Sequence, residues 1–250
     1  MEHSCQCRFA RAKTSPLEAV AVTYRTARAK GHAAQRRHLP QDSDRSDLQL
    51  QPYRGQPTDA RPDTVGIEDE SVCVDDIIET TNHFRCIDLV IDRAEERLTE
   101  SLIKELHAIL KSGTSDNRKE WFAVGAYKRL PNEVGGNETT APENVCREMK
   151  ALLAEYNAKR QKTLADILDL HQRFEMIHPF QNGNGRVGRL VMFKECLANG
   201  IVPFIITDDL KMFYYRGLQR WPEVREYLTD TCLTAQDNYK AILDYFKIEY

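Results

Sequence analysis

The sequence predicts an all-α protein, a helical bundle interrupted by one small β-hairpin flap. Three observations predict it. Apolar residues recur at helical spacing over most of residues 75–246. Stop and start signals punctuate that pattern, among them Gly113, Pro142 and Asn199-Gly200. Only residues 121–140 change character, to short extended pieces around glycine turns.

The elements follow in order. Residues 75–94 carry Ile77, Ile78, Phe84, Ile87, Leu89 and Val90, a broad apolar helical face. Residues 95–111 repeat the pattern with Leu98, Leu102, Ile103, Leu106, Ile109 and Leu110, stopping at Gly113. Val124-Gly-Ala-Tyr-Lys-Arg-Leu-Pro-Asn-Glu-Val-Gly-Gly-Asn137 reads as the hairpin. Helices are then expected over 144–159, over 163–177 (Leu164, Ile167, Leu168, Phe174 and Ile177 inward), and from Arg186 to Asn199. Three more are expected over 209–220, 222–230 and 234–246. Residues 1–62 differ: basic residues cluster early, Gln, Asp and Pro later, and apolar periodicity is poor. Such a stretch buries too little surface to offset its ordering entropy. It is expected to be a poorly ordered or accessory arm before a domain at 63–250; a transit peptide, a packed helix or a start codon placed too early are the alternatives.

Bulk composition narrows the function classes. The 250 residues are 41% apolar, enough for one well-buried core. With 29% charged residues and a net charge of −3, the surface has no global pull toward nucleic acid or membrane. No apolar run approaches the roughly 18 residues of a membrane span, and no secretory apolar segment follows Met1. The cysteines (5, 7, 73, 86, 146, 196 and 232) are odd in number and without CxxC pairs. They read as free thiols of a reducing compartment, so a cytoplasmic location is expected.

The chemistry concentrates in His178-Pro-Phe-Gln-Asn-Gly-Asn-Gly-Arg-Val-Gly-Arg189. A helix ends, a glycine-containing loop follows, and a new helix starts. Gly183 and Gly185 permit dihedrals that aim successive N–H groups at one spot, and with the helix start they form an anion site. Arg186 and Arg189 fall in the expected first turn, at the positive end of the dipole. Each such placement costs roughly 0.3–1 kcal/mol without an anion, and at spacing i, i+3 the two share a face. A bound polyphosphate reverses the sign, and arginine forks suit its oxygens. His178, just before the loop, can take a proton near neutral pH. Taken singly, His178 could be a core histidine and the arginines surface ion-pair partners; base and cradle together favour attack of a hydroxyl on phosphorus. Gly183 to Gly188 also fits G-x-G-x-x-G, but the preceding residues 170–178 read as helix, not as the strand a dinucleotide fold requires.

These twelve residues resemble the signature of the Fic family, H-x-F-x-[D/E]-G-N-G-R-x-x-R, at every defined position except one. The likeness extends over roughly residues 64–250. The resemblance implies a protein adenylyltransferase that uses ATP and Mg²⁺ and transfers AMP to a Ser, Thr or Tyr hydroxyl of a protein. His178 would deprotonate the acceptor, Phe180 would anchor the loop, and Gly183, Asn184 and Gly185 would hold the phosphates. Arg186 would engage the β-phosphate and Arg189 the γ-phosphate. A flap at residues 130–136 would hold the protein substrate in an extended register. Tyr214 and Tyr215 would border the adenosine pocket, ordinary helix packing being the alternative. Family members range from monomers to tetramers, so a homo-oligomer is compatible.

Asn182 is the departure. Relatives carry an acid there that ligates Mg²⁺; asparagine keeps an oxygen but loses the charge, which weakens the expected site. A Fic transferase with another donor, moving phosphocholine or phosphate, and a non-catalytic nucleotide-binding module are therefore the alternatives. Upstream, Thr64-Val-Gly-Ile-Glu68 resembles the family's inhibitory motif, [S/T]-x-x-x-E, within a segment at 64–70. By that resemblance Glu68 would pair with Arg189 and hold the enzyme off; an ordinary helix-start glutamate is the alternative.

Overall fold

Seven α-helices and a two-stranded hairpin make up residues 74–248 and 250, the part of the chain that the computed structural model describes. The helices are α1 (Val74–Asp92), α2 (Glu100–Lys111), α3 (Pro142–Ala158), α4 (Leu164–Ile177), α5 (Asn184–Ala198), α6 (Lys211–Arg220) and α7 (Glu226–Tyr245). Strands β1 (Glu133–Val134) and β2 (Asn137–Glu138) pair antiparallel, Glu133 opposite Glu138 and Val134 opposite Asn137. Gly135 and Gly136 both take positive φ in the two-residue turn, the backbone that matches strand twist. The all-α class with one hairpin flap is therefore correct.

Helix limits follow local chemistry. α2 begins at Glu100, five residues later than the apolar pattern suggests, because Thr99 caps it by accepting from the Leu102 N–H. α4 opens with a reciprocal capping box: Thr163 Oγ1 accepts from Asp166 N–H, and the Asp166 carboxylate accepts from Thr163 N–H at 2.8 Å. The two helices expected over 222–230 and 234–246 are one helix, α7. No glycine or proline interrupts residues 226–245, and Thr231 and Thr234 satisfy their hydroxyls on the carbonyls of Tyr227 and Asp230, four residues back. Pro222 lies in the turn before it.

The packing puts α4 and α5 at the centre. α5 packs on α4, α1 and α2, while α4 also meets α3 and α7; α6 and α7 pair with each other. The shared core includes Leu106 of α2, Met149 and Leu152 of α3, Ile167 and Phe174 of α4, and Val187 and Val191 of α5, all buried. The connection between α4 and α5 thus starts and ends on rigid, buried elements. The arm at residues 1–62 and the segment 64–70 with Glu68 lie outside the described residues.

Candidate active site

Residues 178–183 carry the chain from α4 into α5. His178 makes the first bend: it is left-handed, φ 50°, and its N–H donates to the Phe174 carbonyl at 2.9 Å. A non-glycine residue in this region costs on the order of 1 kcal/mol or more. The Nδ1 atom lies 3.2 Å from the Glu175 carbonyl oxygen. That acceptor puts the ring proton on Nδ1 and leaves Nε2 with its lone pair. Burial lowers the pKa of His178 to about 4, so the ring is neutral at pH 7.

The loop is held from inside. Phe180 is fully buried and stacks on His107 of α2, ring centroids 4.0 Å apart. Asn184 folds back on the loop, accepting from Phe180 N–H at 2.8 Å and donating to Phe180 C=O at 2.7 Å. His107 accepts from Gly125 N–H at Nδ1 (2.9 Å) and donates from Nε2 to the Asn182 carbonyl (3.2 Å). Gly183, φ 83°, is the N-terminal residue before α5, and no side chain caps that helix. Its first N–H groups are therefore open to an anion.

Two expectations need correction. Gly185 does not share the special backbone of Gly183; it is an ordinary helical residue whose φ is not positive. Its missing side chain provides room instead, since a Cβ there would lie 3.2 Å from Arg189 Nη1. Because α5 starts at Asn184, Arg186 is in the first turn and Arg189 in the second.

The two arginines have different surroundings. Arg186 is nearly buried and its Nη1 pairs with Glu79 of α1. Burial lowers its pKa to about 10, so it stays charged. Arg189 donates to the hydroxyl of Tyr214, which is buried on α6 and also lies 2.6 Å from His171 Nε2. Tyr215 is half-buried, its ring 5.4 Å from that of Tyr214. Tyr214 thus supports Arg189 from the core. Beneath them is Glu175, a largely buried carboxyl raised by burial to about 7, with Oε2 4.0 Å from His178 Nδ1.

The flap is stitched to the same loop. Lys128 N–H donates to the Pro179 carbonyl at 2.8 Å, Leu130 N–H to Gln181 Oε1 at 3.3 Å, and Asn132 Nδ2 to the Phe180 carbonyl at 2.9 Å. The Lys128 ammonium is buried, donating to Asn132 Oδ1 (2.7 Å), Thr139 Oγ1 (2.6 Å) and the Ile177 carbonyl (3.3 Å). Residues 130–136 and the His178 bend therefore form one connected surface.

The residues around position 182 do not fit a protein-held Mg²⁺. Asn182 Oδ1 already accepts from Gly183 N–H at 2.6 Å, and it has no charge to offer. Among the described residues no group of three or more His, Cys, Asp or Glu side chains is arranged to hold a metal ion. Also among them, no helix is long and apolar enough to cross a membrane.

Several residues that shape the site do not stand out in the sequence. Glu79, Lys111 and His107 come from α1 and α2, far from the motif in the chain. Each looks like an ordinary residue of an amphipathic helix. His107 offers one signal: it follows Leu106 on the apolar side of α2, where a charged group would be costly.

The comparisons bear on the family and the fold. The profile of the Fic/DOC family matches residues 97–196. A protein adenylyltransferase Fic of Drosophila grimshawi is 27% identical over 139 residues, covering 52% of this chain and 29% of the relative. The Drosophila melanogaster counterpart is also 27% identical, covering 52% and 28%. This chain thus aligns with less than a third of the length of those relatives. Among solved structures, a Fic-domain signalling protein from Bacteroides thetaiotaomicron superposes with a TM-score of 0.59 at 23% identity, covering 73% of this chain and 74% of the other. Fic-1 from C. elegans gives 0.55 at 16% identity, covering 72% and 55%. The signature loop joining two buried helices, the profile match and the shared fold together mark residues 97–196 of this chain as a match to the Fic/DOC family.

Proposed function

We propose that the protein is an adenylyltransferase that moves AMP from ATP to a Ser, Thr or Tyr hydroxyl of a target protein. One observation carries the reading: His178 donates a hydrogen bond from Nδ1 to the Glu175 carbonyl, so Nε2 is a free base at the bend that leads into the uncapped start of α5. The acceptor hydroxyl gives its proton to Nε2 while its oxygen bonds to the α-phosphorus of ATP. The bond from that phosphorus to the bridging oxygen breaks, and pyrophosphate leaves. Arg186, Arg189 and the α5 N–H groups take the phosphate charge. The hairpin flap, bonded to the Pro179–Gln181 backbone and side chains, offers an edge along which an extended target segment can lie. Glu68 is the inhibitory acid in this reading, supported by the five-residue match around it.

A second reading keeps the fold and changes the donor. Asn182 favours it, because its oxygen is engaged within the loop and supplies no charge for Mg²⁺. Intact-mass measurement after incubation with ATP and Mg²⁺ tests both. Glu68→Gly should gain an AMP adduct faster than wild type, and Glu68→Gly with His178→Ala should gain none. Absence of adduct in Glu68→Gly with ATP, together with a phosphocholine adduct when a cytidine-linked donor is supplied, selects the second reading. Retained nucleotide binding with no transfer from either donor selects a binding module.

A further inference from the structure

Resting on the nucleotide reading above, we infer that Glu79 is a specificity-determining residue of the donor site: it occupies Arg186 and limits what the donor's second phosphate can gain there. Glu79 is on the buried face of α1 with Asn82 and Cys86. Its Oε2 pairs with Arg186 Nη1, and its Oε1 accepts from Lys111 Nζ at 2.6 Å. Lys111 is only 1% exposed and donates a second bond to Asp116 at 2.8 Å. The same lysine reaches the motif loop: a Cβ on Gly183 would sit 3.4 Å from its Cε. Glu79 is thus held on its far oxygen by a buried ammonium that two carboxylates share, and has little freedom to swing away.

The consequence is an asymmetry within the cradle. Arg189 rests on the neutral Tyr214 hydroxyl. Arg186, one turn earlier, is already matched by a fixed carboxylate. A phosphate arriving at Arg186 meets a neutralised guanidinium and a neighbouring negative charge that buried surroundings screen poorly. The phosphate that contacts Arg186 therefore adds little to affinity, and that contact belongs to the second phosphate of the donor.

The test is calorimetric titration of AMP and ADP into the full chain, reading the ratio of their dissociation constants. Glu79→Gln keeps a hydrogen-bonding oxygen for Lys111 and removes the charge. The ADP preference over AMP is expected to rise by about tenfold, with AMP affinity unchanged within about twofold. Asp116→Asn makes the same change in net charge one residue further from Arg186, and is expected to leave the ratio within about twofold of wild type. Glu79→Asp withdraws the carboxylate by one methylene and should give an intermediate ratio, which serves if the glutamine variant does not fold. An unchanged or lowered ratio in both Glu79 variants overturns the inference, as does an equal rise in Asp116→Asn. If neither AMP nor ADP binds to wild type or any variant, the nucleotide reading itself falls and the inference with it, an outcome distinct from binding that Glu79 does not modulate.

Discussion

His107 and Phe180 stack ring on ring, with centroids 4.0 Å apart and planes 6° from parallel. The contact joins α2 to the loop between α4 and α5. The imidazole does more than fill space, since its two nitrogens serve Gly125 N–H and the Asn182 carbonyl. An aromatic pair of this kind contributes about 0.5–1.5 kcal/mol beyond its burial. His107→Phe keeps the stack and strands both backbone groups, each costing about 1–3 kcal/mol when buried and unpaired. His107→Phe should therefore lose about 2–5 kcal/mol in urea unfolding and loosen residues 180–184 in hydrogen exchange. A midpoint equal to wild type would show that the two polar contacts carry no stability.

Gly188 is a position where any side chain collides with the polar layer below α5. A Cβ there would lie 2.5 Å from Glu175 Oε1 and 3.0 Å from His171 Cε1. His171 is buried, and the Oε1 atom of Glu175 is shielded from solvent, so neither gives way easily. Overpacking of this order costs about 1–3 kcal/mol. Gly188→Ala is expected to lower the melting temperature by several degrees and to displace Arg189, weakening nucleotide affinity at least as strongly as stability. A variant that melts like wild type and binds nucleotide normally would mean that α4 and α5 are less closely fitted.

How much of this was legible in the chain depends on where the information resides. The loop and its helices are local: the run from His178 to Arg189 contains its own glycines, base and cations, and spacing alone places them between two helices. The start of α5 was less readable, because a left-handed Gly183 and the fold-back of Asn184 set it two residues earlier than the arginines suggest. That shift moved Arg189 into the second turn. The fused α7 shows the same limit, since charged and threonine-rich residues near 230 look like a break until their hydroxyls are seen bonded within the helix. What sequence could not show were partners distant in the chain. Glu79 meets Arg186, and His107 meets Phe180, only because α1 and α2 pack against α5 and its loop.

Lys128 is expected to control order in the flap more than stability of the bundle. Its ammonium bridges Asn132, Thr139 and Ile177. Lys128→Met removes those bonds and leaves Asn132 Oδ1 with the Thr139 hydroxyl, already 2.6 Å away. Amide exchange over residues 129–139 should accelerate by about tenfold or more, while exchange in α4 and α5 stays near wild type. On the proposed reading, in which the flap would present the target and His178 would act as the base, protein-target modification should fall through a higher KM. A fall in kcat alone at constant KM would place Lys128 in the chemical step instead.

Acid should unfold this protein earlier than its net charge suggests. His83, His107 and His178 are lowered by burial to about 4, and His171 to about 3. In the unfolded chain each titrates near 6.5. Between those values the unfolded state binds more protons than the native one, so stability is lost as pH falls from about 6.5 toward 4. Glu175 works in the opposite direction. Its folded pKa of about 7 exceeds its unfolded value, so it stabilises the native state as pH falls from about 7 to 4.5. Four histidines against one carboxyl leave about three protons of net uptake on unfolding, a slope of up to about 4 kcal/mol per pH unit near pH 5.5. Denaturant midpoints measured from pH 7.5 to 5 should therefore fall steeply below pH 6.5. Glu175→Gln should be more stable than wild type above pH 7, by roughly 3 kcal/mol at most, and lose that advantage as pH drops below 5. A flat profile across this range would mean that the folded imidazoles take up protons over the same pH range as in the unfolded chain, and that burial does not hold them neutral.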